Sequence, residues 1–513
     1  MRLFYLLFAV ALCTTSLSAQ VVWSTDVAPI LYQHCTVCHH EGGIGPFSLM
    51  TYPQAAVTGP LLEMEVVSGN MPPWPPDQTY SNFAHERILS EDEIATLSAW
   101  VAGAMPEGDP SLAPPPPVYS EDGMINIEPD LEITMPLHTS SATAFSDDYS
   151  CFSIPTELTQ NKKLRAFELV PGNPEIVHHA LVFIDENGSY PTNTSGNCMG
   201  PANGLIGGYT PGAVPTVYPS DGANFNLGVT IPEGSNIVMA MHYPHGSLGE
   251  SDQSTLRLWF YPDETPIREV STASLIENWS FFLPPNQLTE VSAQFSGIPQ
   301  DVSLLSIFPH MHLLGKSIES HVITPDSEEI PLVRINEWNF HWQQFFAFQN
   351  LVHIPAGSTI YGSGVYDNTA DNPYNPNNPP VMTGPGLNTS DEMFLIYFQF
   401  LAYQAGDELV NLEELTELTT TVTEWSSVNS PFTLHPNPAD EQAVLSFNLE
   451  TSGTVSVYIY DLNGRMVDAV IDRAILPAGS HLERIDLSQL SSGIYVYSAL
   501  VNGQPHSGRF VVK

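Results

Sequence analysis

Cys35-Thr36-Val37-Cys38-His39 sets two thiols and an imidazole within five residues. Thiols at this spacing can add to the vinyl groups of a haem while the adjacent imidazole ligates its iron, so the pentad predicts covalent c-type attachment. A zinc half-site or a redox dithiol is the other chemistry open to it. Met71, in GNMPPWPPD, is the expected second axial ligand, because a thioether in a proline-stiffened loop completes a His/Met pair; Met50, Met64, His40 and His85 compete for that role. Further along, imidazoles gather again: His178-His179 in EIVHHALVF, His242 in NIVMAMHYPHG with His245 three residues on, and His310 and His312 in FPHMHLLGK. Neighbours on a strand point to opposite faces, so joint ligation by His178 and His179 requires a bulge or a strand end. Residues two apart share a face, so His310 and His312 are suited to grip one metal ion. Taken singly, each histidine reads as an ordinary core or surface residue, and Met393 in EMFLIYFQF as a core methionine.

The elements that must position these groups change character along the chain. At 513 residues, several domains are required, because single cores stop growing near about 250 to 300 residues. Residues 1–19 carry Arg2, an apolar run and SLSA, the pattern of a secretory signal peptide, so the mature chain is expected to start at Gln20. Residues 20–110 read as helical, with Ser90 and Glu93 spaced as a capping box. A proline-rich linker at 111–118 comes next, and beyond it short β-branched and aromatic runs are broken by Gly, Pro, Asn and Asp. That β region is too long for one sandwich of about 100 residues, so it divides into domains at 119–265 and 266–416. After a linker at 417–429, residues 430–513 alternate apolar and polar around an Asn463-Gly464 hairpin signal and read as a further small sandwich. The expected fold is therefore multidomain, one small all-α domain followed by three all-β sandwiches.

Composition narrows the partners. Fourteen Lys and Arg stand against 56 Asp and Glu, a net charge of −42 that repels phosphate backbones and excludes nucleic acid as a partner. Of five cysteines, Cys13 leaves with the signal and Cys35 and Cys38 belong to the pentad. Cys151 and Cys198 remain, either as a disulfide in an oxidising compartment or as two unpaired buried thiols. No HExxH motif accompanies the histidines, which argues against a zinc hydrolase.

Three resemblances add to this reading. The CTVCH and MPPW segments resemble a mono-haem cytochrome c of the variety that precedes copper monooxygenase domains in bacterial proteins. The succession HH, HY, HMHLLGK and DEM over most of residues 120–415 resembles the copper type II, ascorbate-dependent monooxygenases, the family of peptidylglycine hydroxylating and dopamine β-monooxygenases. DDYSCFSIP resembles the start of that family's first copper domain, which favours the Cys151–Cys198 bridge. The resemblance implies two jelly-roll-like copper domains and two copper ions. His178, His179 and His242 would hold the electron-transfer copper, and His310, His312 and Met393 the one that meets dioxygen. Imidazole suits both copper oxidation states and a thioether favours the cuprous ion, which agrees with this assignment. It further implies hydroxylation of a substrate C–H bond, with electrons from ascorbate or a redox protein and, in this chain, from the fused haem.

Tyr397, four beyond Met393, agrees with the family pattern, but three positions depart from it. The peptide-amidating members hold the substrate carboxylate with an Arg before the HxH pair and an Asn after the Met, where Phe308 and Leu395 stand here. A neutral or apolar small molecule is therefore expected in place of a peptidylglycine. Ala240 likewise stands where the family has a glutamine. Finally, HPNPA, YDLNGR and LSSGIYVY resemble the C-terminal sorting domain of type IX secretion substrates, implying export to the cell surface or beyond and the secretion machinery as a partner. A non-catalytic electron-transfer or copper-binding surface protein is the competing class.

Overall fold

The computed structural model describes residues 20–415 apart from positions 118, 120–122, 126, 145 and 213. Beyond these it describes residues 432–435, 439, 442–449, 451–461, 466–487, 490, 493–501 and 504–512. The expected signal peptide, the 417–429 linker and the Asn463-Gly464 turn lie outside the described residues. The chain divides into two compact units, one of residues 1–106 with 116–421 and one of 107–115 with 422–513. Among the described residues no helix is long and apolar enough to cross a membrane.

The first unit opens with three helices, α1 (Ala28–His34), α2 (Tyr52–Val67) and α3 (Glu91–Ala102). The capping box at α3 forms as its spacing demands: the Glu93 N–H donates to the Ser90 hydroxyl (3.3 Å) and the Ser90 N–H to the Glu93 carboxylate (2.8 Å). Trp23, Leu31, Leu62, Leu97 and Trp100 make a helical core of their own. The helical region is nonetheless fastened to the β region. Trp74 meets Phe83 and Phe346 edge-on, and the Ala84 N–H donates to the Ala347 carbonyl at 2.8 Å, so the MPPW segment continues into a strap along a β-sheet edge.

Two sandwiches form the rest of this unit. In the first, a sheet built on Lys162–Val170, Leu227–Ile231 and Thr255–Phe260 faces one ordered Asp148–Pro155, Asn236–Tyr243, His179–Asp185, Leu205–Tyr209. Phe152, Phe167, Val182, Met239 and Leu256 fill the space between them. Arg268–Glu269 still pairs with Leu227–Ile231, so the chain leaves this sandwich after Glu269, slightly beyond the expected division at 265. In the second, the sheet Ser271–Glu277, Leu395–Ala402, Val302–His310, Phe346–Ile354 faces Gln287–Ser296, Thr359–Asn368, Gly315–Ile323, Glu329–Ile335.

Val302–His310 explains why its sequence does not alternate. Every residue in it is buried: Leu304 and Ile307 enter the second sandwich's core while Leu305 enters the first's. With apolar neighbours on both faces, the period-2 signal disappears. The polar groups caught in this layer are satisfied: the Ser306 hydroxyl donates to Gln399 Oε1 (2.7 Å), and Gln399 Nε2 donates across to the Ile206 carbonyl (3.1 Å).

The second unit contains a smaller sandwich. Thr433–His435, Gln442–Leu449 and Gly479–Asp486 form one sheet, and Met466–Leu476, Gly453–Asp461, Gly493–Val501 and Gln504–Val512 the other. Phe432, Leu445, Val457, Ile459 and Tyr497 pack between them.

Candidate metal centres

Three of the expected ligands meet in the first sandwich. The sheet strand begins at His179, so His178 lies just before it, the strand end that joint ligation requires. His179 is registered directly opposite His242 on the neighbouring strand. The ligand atoms of His178, His179 and His242 all fall within 4.8 Å of one another. His179 Nδ1 lies 3.1 Å from both His178 Nδ1 and His242 Nδ1. His242 is backed on its other side: Nε2 lies 3.1 Å from an Asp147 carboxylate oxygen. Tyr149 stacks flat on the His242 ring, centroids 4.1 Å apart.

The second group sits at the edge of the second sandwich. His310 ends its strand, and His312 lies just past it rather than on it. The reason is Glu392, a fully buried carboxylate that accepts the N–H groups of His312 (2.9 Å) and Leu314 (2.6 Å) in place of a sheet partner. The two rings still converge, 5.1 Å apart and nearly perpendicular. His310 Nδ1 faces Gln343 Oε1 at 2.7 Å and His312 Nδ1 faces the Asp391 carbonyl at 3.1 Å. Each therefore turns Nε2 away from its protein partner. Met393 is buried, and its carbonyl accepts the Tyr366 hydroxyl at 2.6 Å.

Burial sets the charge of these groups. It holds His178 down at about 3 and His310 at about 4, and pushes His179 and His312 well below the ordinary range. His242 is lowered by burial too, against the opposing pull of Asp147. All five are neutral near pH 7, with lone pairs free to bind metal. Clustered neutral imidazoles whose nitrogens face one another, together with an imidazole pair and a buried methionine that lines the same cavity as His310, fit copper.

One cavity of about 420 Å³ unites both groups, lined by His178, His179, His310 and Met393 together with Phe308, Leu395, Tyr397 and Ala240. The His179 and His310 rings are only 6.4 Å apart by centroid. Phe340 links the groups further, stacked on His178 at 4.9 Å and edge-on to His312 at 5.7 Å. No Asp, Glu, Lys or Arg is among the described lining residues. Cys198 also reaches the cavity, and its disulfide to Cys151 spans a Cα–Cα distance of 5.7 Å.

Residues 285–418 match the copper type II ascorbate-dependent monooxygenase, C-terminal domain. This chain carries a copper monooxygenase domain. Residues 433–513 match the secretion system C-terminal sorting domain, which marks the chain for export to the cell surface or the extracellular space. A stretch of 256 residues is 23% identical to the tyramine beta-hydroxylase of Caenorhabditis briggsae, covering 45% of this chain and 41% of that protein. The chain thus spans about two fifths of that relative's length. Among solved structures, the Faecalibacterium prausnitzii beta-glucuronidase overlaps at a TM-score of 0.13 and 10% identity, covering 49% of this chain and 47% of that one.

The N-terminal pentad is a separate group from the clustered histidines. Cys35 caps α1, and the His39 N–H donates back to the Cys35 carbonyl at 2.9 Å. His39 Nδ1 faces the Phe47 carbonyl (2.9 Å), leaving Nε2 for a metal. A Cβ at Gly45 would come within 2.6 Å of His39 Nδ1, so only glycine lets this loop close over the imidazole. Burial pushes the Cys35 thiol up to about 12, helped by Cys38 and Glu93. Met71, like Cys35 and Phe47, is partly buried and packs against the helical core. Of its competitors, Met64 is 57% exposed, His40 is engaged by the Thr36 carbonyl and Tyr119, and His85 lines the 420 Å³ cavity.

Asp147, Gln343, Glu392 and Phe340 are absent from the site as the sequence alone defines it. Asp147 had a faint signal, an acid at the start of DDYSC; the other three had none that spacing could carry.

Proposed function

We propose that the chain is an exported copper-dependent monooxygenase that hydroxylates a C–H bond of a neutral, apolar small molecule. In this reading His178, His179 and His242 hold one copper through Nδ1, and His310, His312 and Met393 hold the other through Nε2 and the thioether. The bound coppers would supply the electrons that reduce dioxygen for insertion of one oxygen atom into the substrate. The observation that carries the proposal is the single cavity onto which His178, His179, His310 and Met393 open together.

The chain's own residues set what that cavity accepts. Phe308 stands 5.0 Å from Phe345 and 6.0 Å from Tyr397 by ring centroid, forming an aromatic wall beside His310. That wall and Leu395 exclude water and orient a flat, apolar substrate against the metal-facing imidazoles. A substrate carboxylate or ammonium would lose its hydration and find no opposite charge among the described lining residues. Selectivity therefore differs from that of an amidating enzyme and from what the name of the tyramine-hydroxylating relative suggests.

Cys35, Cys38, His39 and Met71 would hold a covalently attached haem, a one-electron carrier when bound. The reading is tested by reductant-driven dioxygen uptake with a panel of neutral aromatic compounds, tyramine and a C-terminal glycine peptide. Hydroxylation of a neutral compound, lost in Met393→Ala and His310→Ala, is expected. Copper-loaded protein inert to dioxygen would instead make it a copper-binding electron-transfer protein. Micromolar binding of the glycine peptide would overturn the substrate class.

A further inference from the structure

We infer that Arg87 is the partner of a haem carboxylate, and that through Gln344 it ties the haem-bearing segment to the loop that orients His310. The inference rests on the reading of Cys35 and Cys38 as haem attachment sites. Its ground is a charge left unmatched. In a chain with 14 cationic side chains and 56 acidic ones, Arg257, Arg268 and Arg334 each sit against a carboxylate. Arg87 does not: among the described residues its guanidinium has no carboxylate in ion-pair range. Its hydrogen bonds go to neutral acceptors, Nη1 to the Gly212 carbonyl (2.9 Å) and Nη2 to Gln344 Oε1 (3.0 Å).

A guanidinium offers five N–H donors in a rigid fork and pairs best with a carboxylate. Burial of Arg87 lowers its pKa, with Cys38 pulling the other way, which places the guanidinium in electrostatic reach of that thiol. The place is informative as well. A Cβ at Gly212 would lie 3.8 Å from the Cys38 sulfur, so the loop that Arg87 grips is the one facing the haem-attaching thiol. A haem brings two propionate carboxylates, the group that would match this charge.

The same contacts run on toward the copper side. Gln344, which accepts from Arg87, follows Gln343, which faces His310 Nδ1 at 2.7 Å. The Thr210 hydroxyl, two residues from Gly212, donates to the Gln343 carbonyl. Two short segments thus each touch both Arg87 and the support of His310.

The test is potentiometric titration of the haem in the full-length holoprotein, with haem content first measured as the pyridine haemochrome. A cation beside the haem stabilises its reduced, more negative form. Arg87→Gln is therefore expected to shift the one-electron reduction equilibrium about tenfold toward the oxidised form, about 59 mV. Arg87→Lys, which keeps the charge and guards against a folding defect, should recover most of that shift. Fully haem-loaded Arg87→Gln protein with an unchanged midpoint would overturn the assignment. Wild-type protein without a covalent haem would overturn the haem reading itself, a separate and visible failure.

Discussion

His179 Nδ1 lies 3.1 Å from the Nδ1 atoms of both His178 and His242, whereas at His310 and His312 each Nδ1 is turned onto an oxygen of the surrounding protein. The first group is organised by its own convergence, with one outer support at Asp147. The second is organised from outside, by Gln343, the Asp391 carbonyl and the Glu392 carboxylate that fixes the intervening backbone. Fixing Nδ1–H onto a carbonyl-type oxygen sets the tautomer before any metal arrives. The two plans predict different responses to substitution. A change inside the first group should disorganise its remaining ligands, while a change inside the second should leave its surviving ligand aimed.

The largest break is His179→Ala. Its nitrogen is the common neighbour of the other two, so one copper equivalent should be lost by metal analysis while the other is retained. The affinity loss should exceed the roughly 10–100-fold that outer-shell partners command. His312→Ala should remove the other equivalent and leave the first group's copper in place. Loss of both coppers in either variant would show that the two groups are not separable sites.

A finer comparison replaces the supports. Gln343→Leu should weaken copper binding at His310 and His312 about 10–100-fold and leave the first group unchanged. Asp147→Ala should weaken the first group by a similar factor, but its effect should spread. Asp147 also accepts the Thr389 N–H at 2.7 Å, and Thr389 opens the turn that carries Asp391 and Met393. A smaller loss at the second group is therefore expected from Asp147→Ala and none in the reverse direction, both read by calorimetric copper titration.

These supports mark how far the sequence could be read. The candidate histidines stand out in the sequence because metal chemistry restricts residue type and spacing on a strand restricts direction, and the structure brings His178, His179 and His242 together. His178 at a strand end and the division into sandwiches follow from local rules. The supports carry no such restriction: a glutamine 33 residues after His310, or a glutamate beside Met393, acquires its role only when the sheet brings distant segments together. The all-buried strand Val302–His310 was obscured for the same reason, since burial on both faces removes alternation. The strap from Trp74 to Arg87 shows the limit most plainly. Its sequence resembles a haem-domain loop, yet Trp74 and Phe83 spend their rings on Phe346 and Phe348 of the second sandwich.

Asp147 and Asp148 give the smallest and sharpest contrast, because neighbouring carboxylates at the start of one strand serve different partners. Asp147 backs the His242 imidazole (3.1 Å), but Asp148 accepts from His138 Nε2 (2.9 Å), the Ser141 N–H (2.8 Å) and the Ser150 hydroxyl (2.7 Å). Burial alone would raise the Asp148 pKa; these bonds outweigh it and hold the carboxyl at about 2. A depressed folded-state pKa contributes stability that is complete above the unfolded value near 4 and is lost as pH falls through about 2. After allowance for solvent screening, that contribution is about 1–2 kcal/mol at neutral pH. Asp148→Asn should therefore lower the thermal midpoint at pH 6 with copper content unchanged, and its deficit against wild type should shrink as pH falls toward 2. Copper loss in Asp148→Asn would instead place both carboxylates in the service of the metal, and the contrast between the two neighbours would not hold.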